Sequence, residues 1–360
     1  MTEDEERAAE ERAVAARTAP TYRMPPETDR HERLWMAFPV AGYTLGETDA
    51  EAAEAYAMWS DVANIASEFE PVTTVVDPSQ LAAATKRLSR QIEVLVAPLD
   101  DAWMRDIGPT FVRDAESGAL AAVDWVFNGW GAPAWSTWRK DSRIARFVAE
   151  AAGVPVVTSD LVNEGGAIHV DGEGTVLVTK TVQLDPHRNP GWTRTRVDAE
   201  LERTLGTPNV LWLERGLTRD YEDFGTRGHV DMLATFAAPG RVLVHVQTDP
   251  GHPDFPVTAA NRDLLATRSD AAGRPFEVVE LPAPPILRDS EGFVDYNYVN
   301  HVVVNDGVIA CAFGDRAADD RAAGILAEQY PGRRIVPLDA RPLFARGGGI
   351  HCITQQQPAL

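Results

Sequence analysis

Apolar residues along this chain follow two patterns that alternate from one end to the other. Short runs rich in valine, leucine and aromatic residues, such as LWMAFP, TVLVTKTVQL, RVLVHVQT and GVIACAF, are typical of strands. Between them, apolar residues recur at three- and four-residue steps in AEAYAMWSDVANIASEF, DSRIARFVAEAAG, DAELERTLG and DDRAAGILAEQYPG, which predicts helices. Strands and helices mixed along the whole length predict an α/β fold.

Polar or reactive residues recur at the edges of the predicted strands. Asp106, Glu164, His229, Asn300 and Cys352 follow one another at intervals of 52 to 71 residues. Each lies at a strand or turn, usually followed by a glycine bend such as DGEG, APG or NDG. This spacing is typical of a degenerate repeat of one supersecondary unit. A ring of about five such units would direct one functional group from each unit toward a shared centre.

The first 22 residues differ from the rest of the chain. They begin MTEDEERAAEERAVAARTAP, which is acidic and alanine-rich and predicts a disordered tail or a frayed helix. A secretory signal would be basic and then apolar, so we expect a cytoplasmic protein. No long linker interrupts residues 23–360, and we expect them to form a single domain.

The net charge and the lengths of the apolar segments limit the kinds of molecule that we expect this chain to bind. The 360 residues carry 54 acidic against 34 basic side chains, a formal net charge of -20, which repels phosphate backbones and anionic membrane surfaces. No apolar segment approaches the roughly 18 to 20 residues of a membrane span. We therefore expect neither nucleic acid nor a membrane as a partner, whereas a small cationic molecule is favoured and a homo-oligomer stays open.

The two cysteines have different surroundings. Cys311 lies in GVIACAFG, an apolar run in which a thiol behaves as a small hydrophobic group. Cys352 lies in GGGIHCITQQQP, after glycines that let the backbone approach a ligand closely. The polar residues after Cys352 are not those expected of an ordinary closing strand or helix. Two cysteines in 360 residues also favour a reducing compartment.

Asp106, Glu164, His229, Asp231 and Cys352 form an unusual set if they converge. Carboxylates that lie close together raise each other's pKa unless a cation lies among them. A metal is the weaker choice, because this mixture matches no common zinc pattern and neither HExxH nor CxxC occurs. A guanidinium ion fits better, because its N–H groups pair with carboxylates and a thiolate can attack its central carbon. We expect no metal and no cofactor.

Eight motifs, in order along the chain, resemble those of a known family: WMAFP, WMRDIGPTFV, FNGWG, EGGAIHVDGEGT, RNPGWTR, GHVDM, YVN and GGGIHCITQQQP. From about Met24 to Pro358 the chain resembles the agmatine deiminase family, which is related to the bacterial peptidylarginine deiminases. The resemblance implies a five-bladed α/β propeller, the pentein fold, built from pseudo-repeated ββαβ-type units. It also implies a hydrolase that converts a guanidino compound to a ureido product and ammonia.

Residue roles follow from the same resemblance. It implies that Cys352 is the nucleophile of a covalent thiouronium intermediate and that His229 is the general acid and base. Asp106 and Glu164 would hold the guanidinium, and Asp231 matches the acid that follows the histidine. The further candidates for substrate contact are Trp103, Asn300 and Gly349. Asn300 could equally bond only to neighbouring backbone, and His31, His169, His301 and His351 are expected to have structural or supporting roles.

Three basic residues stand where the family has other residues. The acid-rich segment that precedes GHVD in the family is Phe-Gly-Thr-Arg at 224–227 here, and Lys180 and Arg346 also depart from the family pattern. For Lys180 a surface position is the favoured interpretation. Arg227 and Arg346 adjoin proposed catalytic segments, and they predict contact with a substrate whose far end is anionic, as in arginine or a guanidino acid.

Three alternatives stay open from the sequence. The first is a strict agmatine deiminase that makes N-carbamoylputrescine, and the second is an amidinotransferase that passes the amidino group to an amine. Ammonia release from the guanidino substrate alone separates hydrolysis from transfer. The third is a guanidinium-binding protein without activity, against which the thiol argues because binding alone needs no nucleophile.

Overall fold

The computed structural model describes residues 22–360, so the predicted tail lies outside the described residues apart from Tyr22. The strands are β1 Tyr22–Arg23, β2 His31–Ala37, β3 Val72–Val76, β4 Glu93–Val96, β5 Thr110–Asp114, β6 Leu120–Val126, β7 Val156–Val162, β8 His169–Val170, β9 Thr175–Thr179, β10 Asn209–Leu213, β11 Ala234–Ala238, β12 Arg241–Val246, β13 Glu277–Pro282, β14 Val302–Val304, β15 Gly307–Ala312, β16 Arg334–Asp339 and β17 Thr354–Pro358. The helices are α1 Asp49–Ala66, α2 Leu81–Arg87, α3 Met104–Ile107, α4 Ile144–Ala151, α5 Lys180–Gln183, α6 Arg194–Leu205, α7 Phe255–Ala266, α8 Arg316–Gln329 and α9 Arg341–Phe344.

The described strands form five small sheets that repeat one path. In three of them an antiparallel hairpin is followed by a parallel third strand: β8–β9 with β10, β11–β12 with β13, and β14–β15 with β16. The β5–β6–β7 sheet has the same order, with β1 added at its edge. In the fifth sheet β17 pairs antiparallel with β2, and β3 and β4 follow in parallel. The last strand of the chain therefore completes the unit that the first strands begin.

The five recurring polar residues occupy equivalent positions in these units. Asp106 lies in α3 ahead of β5, Glu164 precedes β8, and His229 precedes β11. Asn300 precedes β14, and Cys352 lies in the short turn ahead of β17. Each residue thus comes just before one strand of an antiparallel pair, which is a hairpin in four units and the β17–β2 pair in the fifth. The mixed α/β class is confirmed, and the number of sheets equals the number of predicted units, while closure into a ring stays a prediction.

The last strand corrects one expectation from the sequence. The polar stretch after Cys352 forms β17, which is buried along its whole length and pairs with β2 from Thr354 opposite Met36. Two of its glutamine side chains are tolerated inside because they have partners: Trp35 Nε1 donates to Gln357 Oε1 at 2.9 Å, and Arg105 Nη1 donates to the side chain of Gln356 at 2.9 Å. Hydrogen bonding therefore replaces the apolar pattern that a buried strand normally shows.

Helices pack their apolar faces on the sheets. The four predicted helices occur as α1, α4, α6 and α8, and α1 begins with a capping box in which Thr48 and Glu51 satisfy each other's backbone. Helix α7 and strands β7 and β16 were not predicted from the sequence. No helix among residues 22–360 is long and apolar enough to cross a membrane.

Candidate active site

His229 lies between two of the carboxylates that the sequence singled out. Its Nε2 is 3.2 Å from Glu164 Oε2, and its Nδ1 is 3.7 Å from Asp106 Oδ1. All three side chains are buried. Gly166 provides the space for this approach, because a Cβ at that position would lie 2.5 Å from His229 Nδ1 and 3.1 Å from an oxygen of Asp231. The second glycine of the EGG motif is therefore needed, because a side chain at this position would collide with the imidazole.

The thiol of Cys352 lies beside Asp231 and Asn300 in the same buried cluster. Its Sγ lies 3.6 Å from Asp231 Oδ2 and receives hydrogen bonds from Asn300 Nδ2 at 3.3 Å and from the backbone N–H of Gly349 at 3.4 Å. A Cβ at Gly348 would lie 3.1 Å from the same sulfur. The structure thus brings the candidates from all five units together around one buried thiol, and the glycines before it allow the close contact.

Arg188 is a site residue to which the sequence gave no role, although it belongs to the RNPGWTR motif. Its Nε donates to both oxygens of Glu164, at 2.9 and 3.2 Å, and its Nη1 donates to Asp185 at 2.9 Å. Its Nη2 donates to the carbonyl of Thr226 at 2.8 Å. The side chain is fully buried. Arg188 therefore fixes Glu164 and ties it to the segment that carries His229.

The charges of these groups shift the pKa values in different directions. Burial alone would lower the pKa of His229, but Asp106 and Glu164 outweigh burial and raise it to about 9. Burial raises the pKa of Asp106 to about 6. Burial would also raise the pKa of Glu164, but Arg188 and His229 hold it below its ordinary value. The site therefore contains an imidazolium flanked by carboxylates at neutral pH.

The thiol is protonated in the free protein. Burial, and then the negative charges of Asp231 and Asp106, raise the pKa of Cys352 well above its ordinary value. Burial also raises the pKa of Cys311, to about 12, in strand β15 as predicted for a structural cysteine. A cation bound among the carboxylates would reverse the effect on Cys352 alone, because only Cys352 lies beside them.

Two buried polar atoms of the site have no hydrogen-bond partner. These are Nδ1 of His229 and Oδ1 of Asp231. Buried polar atoms are nearly always paired, so these two atoms are available to a bound molecule. The first is a proton donor while the imidazole is protonated, and the second is an acceptor for an N–H group.

Aromatic side chains enclose the space above the thiol. Trp103 lines it, and Trp130 lines it while donating to Asp106 Oδ2 at 2.9 Å. Tyr43 stacks on Phe224 with ring centroids 3.5 Å apart, and the ring of Trp135 packs at a tilt against the ring of Phe224. The cavity measures about 20 Å³, about enough for one water. A guanidinium group is larger than this volume, so substrate binding requires side chains that line the cavity to move.

A larger, acidic chamber adjoins this cavity on the outer side of Tyr43 and Phe224. Its volume is about 560 Å³. Asp295, one of its buried acids, has a pKa that burial and then Asp220 raise to about 7, and its Oδ1 has no hydrogen-bond partner. The charged residues that line the chamber are Glu51, Glu54, Asp220, Glu222, Asp223, Glu291 and Asp295, with Arg219 and Arg346. The chamber is therefore suited to a cation.

The contacts of Arg346 and Arg227 do not support the substrate role predicted from the sequence. Arg346 is buried, and its guanidinium donates to Glu54 at 2.8 Å and to three backbone carbonyls at 2.7 to 3.0 Å. Arg227 is half-exposed and lies 3.6 Å from Asp185, which Arg188 already pairs. Lys180 is exposed beside Glu214, at the surface as expected.

One other cluster has the spacing of metal ligands. Glu27, His169 and His351 bring three candidate atoms within 4.8 Å of one another. Each is already engaged in hydrogen bonds, with His351 between Glu27 and Asp231 and with His169 Nε2 at 2.7 Å from Thr235. The donor set is therefore that of a hydrogen-bonded network.

The structure brings a thiol, an imidazole and three carboxylates together in one buried cluster, an arrangement suited to chemistry on a guanidino group. Residues 23–358 match the Porphyromonas-type peptidyl-arginine deiminase family, and the chain belongs to that family. It is 56% identical to a Streptomyces coelicolor protein with a provisional agmatine deiminase name, over 94% of this chain and 99% of that protein.

Other relatives carry the agmatine deiminase name without that qualification. The agmatine deiminase of Stutzerimonas stutzeri is 37% identical over 94% of this chain and 96% of its own length. A solved structure of the Enterococcus faecalis agmatine deiminase superposes with a TM-score of 0.86 at 32% identity, covering 94% of this chain and 96% of the other. The family resemblance predicted from the eight motifs is confirmed.

Proposed function

We propose that this protein hydrolyses a linear guanidino compound with a cationic far end, of the agmatine type, through a covalent intermediate on Cys352. The observation that carries the proposal is the acidic chamber joined to the small cavity above the thiol. The sequence favoured an anionic far end, but the two arginines on which that prediction depended bond to protein groups. A carboxylate in the chamber would face seven acidic side chains, whereas an ammonium would be attracted by them.

The guanidinium end is recognised by the carboxylates. Asp106 lines the small cavity together with Cys352, and Asp231, whose Oδ2 is 3.6 Å from the sulfur, has a buried Oδ1 without a hydrogen-bond partner. A planar guanidinium held by two carboxylates presents its central carbon to the sulfur above or below its plane. Its positive charge also lowers the pKa of Cys352, so the substrate helps to generate the nucleophile.

The chemistry then uses one proton carrier. The thiol proton passes to solvent when the cation binds, and the resulting thiolate attacks the central carbon to form a tetrahedral adduct. Protonated His229, whose Nδ1 has no other partner, donates its proton to the departing nitrogen, and ammonia leaves while Cys352 holds a thiouronium. Neutral His229 then accepts a proton from water, and the hydroxyl adds to the same carbon. The C–S bond breaks, the thiolate departs, and the hydroxyl proton passes to solvent to give the ureido product. Glu164 and Arg188 keep the imidazole oriented through both halves.

The test is a comparison of ammonia release from agmatine, arginine and 4-guanidinobutyrate. We expect agmatine to have the highest kcat/KM, and we expect Asp295→Asn to raise KM for agmatine about tenfold because a charged partner is lost. The matched control Arg227→Glu should leave the order of substrates unchanged. An order that places arginine or 4-guanidinobutyrate first, and that Arg227→Glu reverses, would show an anionic far end instead. Ammonia release only when an amine acceptor is added would identify an amidinotransferase.

A further inference from the structure

A buried chain of ionisable side chains lies behind Asp231, on the side away from the substrate cavity. His351 Nδ1 is 2.8 Å from Asp231 Oδ2, and His351 Nε2 is 2.8 Å from Glu27 Oε1. All three side chains are buried, with 8% or less of each side chain exposed. Asp231 Oδ2 in turn lies 3.6 Å from the sulfur of Cys352. The mechanism above uses neither His351 nor Glu27.

The hydrogen bonds define the charge of His351. An ionised carboxylate can only accept hydrogen bonds, and a neutral imidazole carries a single N–H. Two carboxylate oxygens at 2.8 Å from the two ring nitrogens therefore require both nitrogens to donate, which makes His351 an imidazolium. The pKa directions agree: burial works against the charge, but Glu27 and Asp231 raise the pKa of His351, and His351 lowers the pKa of Asp231.

Other charged groups around His351 complete the network. Arg105 donates from Nη1 to Glu27 Oε1 at 3.2 Å and from Nε to the carbonyl of His351 at 3.4 Å. The ring of His169 lies 6.2 Å from that of His351 and accepts at Nδ1 from the backbone N–H of Phe236, so its proton is on Nε2. Burial lowers the pKa of His301, which His351 also influences, to about 4 and keeps it neutral.

We propose that His351, held by Glu27, is a positioning residue that stays protonated and thereby orients and neutralises Asp231 beside the nucleophile. The imidazolium fixes Oδ2 of Asp231 and leaves Oδ1 free for the guanidinium. It also offsets a negative charge that would otherwise lie uncompensated 3.6 Å from the sulfur. The inference depends on the proposed function, because it assigns a supporting role for the same thiol.

Three substitutions separate this role from a merely structural one. His351→Gln removes the cation while keeping a donor for Asp231, and Glu27→Gln removes the group that holds the proton. Glu70→Gln is the matched control, because Glu70 forms an equally buried pair with His31 at 3.1 Å that does not reach Asp231. Folding of each variant is verified by circular dichroism and thermal unfolding.

The first measurement concerns charge and is independent of activity. With ¹³C-labelled histidine, the Cε1–H resonance of His351, assigned from its loss in His351→Gln, should stay in its protonated position from about pH 5 to pH 9. In Glu27→Gln it should titrate within that range, and in Glu70→Gln it should not. A neutral His351 at pH 7 in the unmodified protein overturns the inference.

The second measurement concerns the thiol. 2-Chloroacetamidine carries an amidinium that mimics the guanidinium and a carbon that alkylates a thiolate, with loss of chloride. His351→Gln should slow inactivation about 10- to 100-fold, the loss expected for one charge-assisted contact, and should move the pH profile of the rate upward. Glu70→Gln should match the unmodified protein. If the pH profiles of inactivation of His351→Gln and of the control superimpose, the inference is refuted. If the unmodified protein releases no ammonia from any guanidino compound, the proposed function is refuted, and the titration of His351 still decides the charge of that residue.

Discussion

Replacing Arg188 with methionine removes the cation on which Glu164 depends while keeping most of the side-chain volume. The guanidinium makes charged hydrogen bonds to Glu164 at 2.9 and 3.2 Å and to Asp185 at 2.9 Å, and none of the three side chains is more than 1% exposed. Removing one partner of a buried ion pair costs about 3 to 5 kcal/mol, because the other charge stays buried without compensation. We expect Arg188→Met to lower the free energy of unfolding by that amount.

Urea unfolding followed by tryptophan fluorescence measures this loss. The control is Arg241→Met, which breaks a pair with Glu277 at a similar 2.9 Å, but with side chains 38% and 59% exposed, and exposed pairs contribute about 0.2 to 1 kcal/mol. Adding Glu164→Gln to Arg188→Met removes a buried carboxylate that keeps only His229 as a cationic partner, so the double variant should be about 1 to 3 kcal/mol more stable than additivity predicts. A loss no larger than that of the control, or strict additivity, would refute the reasoning.

Three further predictions concern activity. Cys352→Ser should abolish ammonia release without lowering the melting temperature, whereas Cys311→Ser should lower the melting temperature and leave kcat nearly unchanged. Appreciable turnover by Cys352→Ser would exclude the covalent mechanism. His229, whose pKa is about 9, and Cys352 both hold protons in the free enzyme at neutral pH, and attack requires one of these two protons to leave. The value of kcat/KM should therefore rise as pH increases up to about 9. A flat profile between pH 6 and 9 contradicts this expectation. Gly166→Ala should lower kcat/KM about 100-fold by displacing the imidazole, and near-normal kinetics would show that the site can absorb the methyl group.

The pattern of the sequence predicted the repeating units and the polar residues that the structure brings together in one buried cluster. Apolar periodicity identified α1, α4, α6 and α8, because local burial of one face leaves a period in the sequence. The recurring polar positions identified Asp106, Glu164, His229 and Cys352, because a repeated unit places equivalent turns at regular steps along the chain. The family motifs added the reaction type. These signals are local or periodic, and a single sequence carries them directly.

The partners of charged and polar side chains were decided only by the tertiary structure. Arg346 and Arg227 adjoin catalytic segments in the sequence, yet Arg346 bonds to Glu54, about 290 residues away, and Arg227 lies on the surface near Asp185. Strand β17 looked too polar for the interior, because its partners, among them Trp35, belong to distant segments. A charged group acts on whatever lies within a few ångströms, and sequence order does not contain that distance. The proposed preference for a cationic far end therefore depends on the folded chamber, whereas the sequence alone predicted an anionic one.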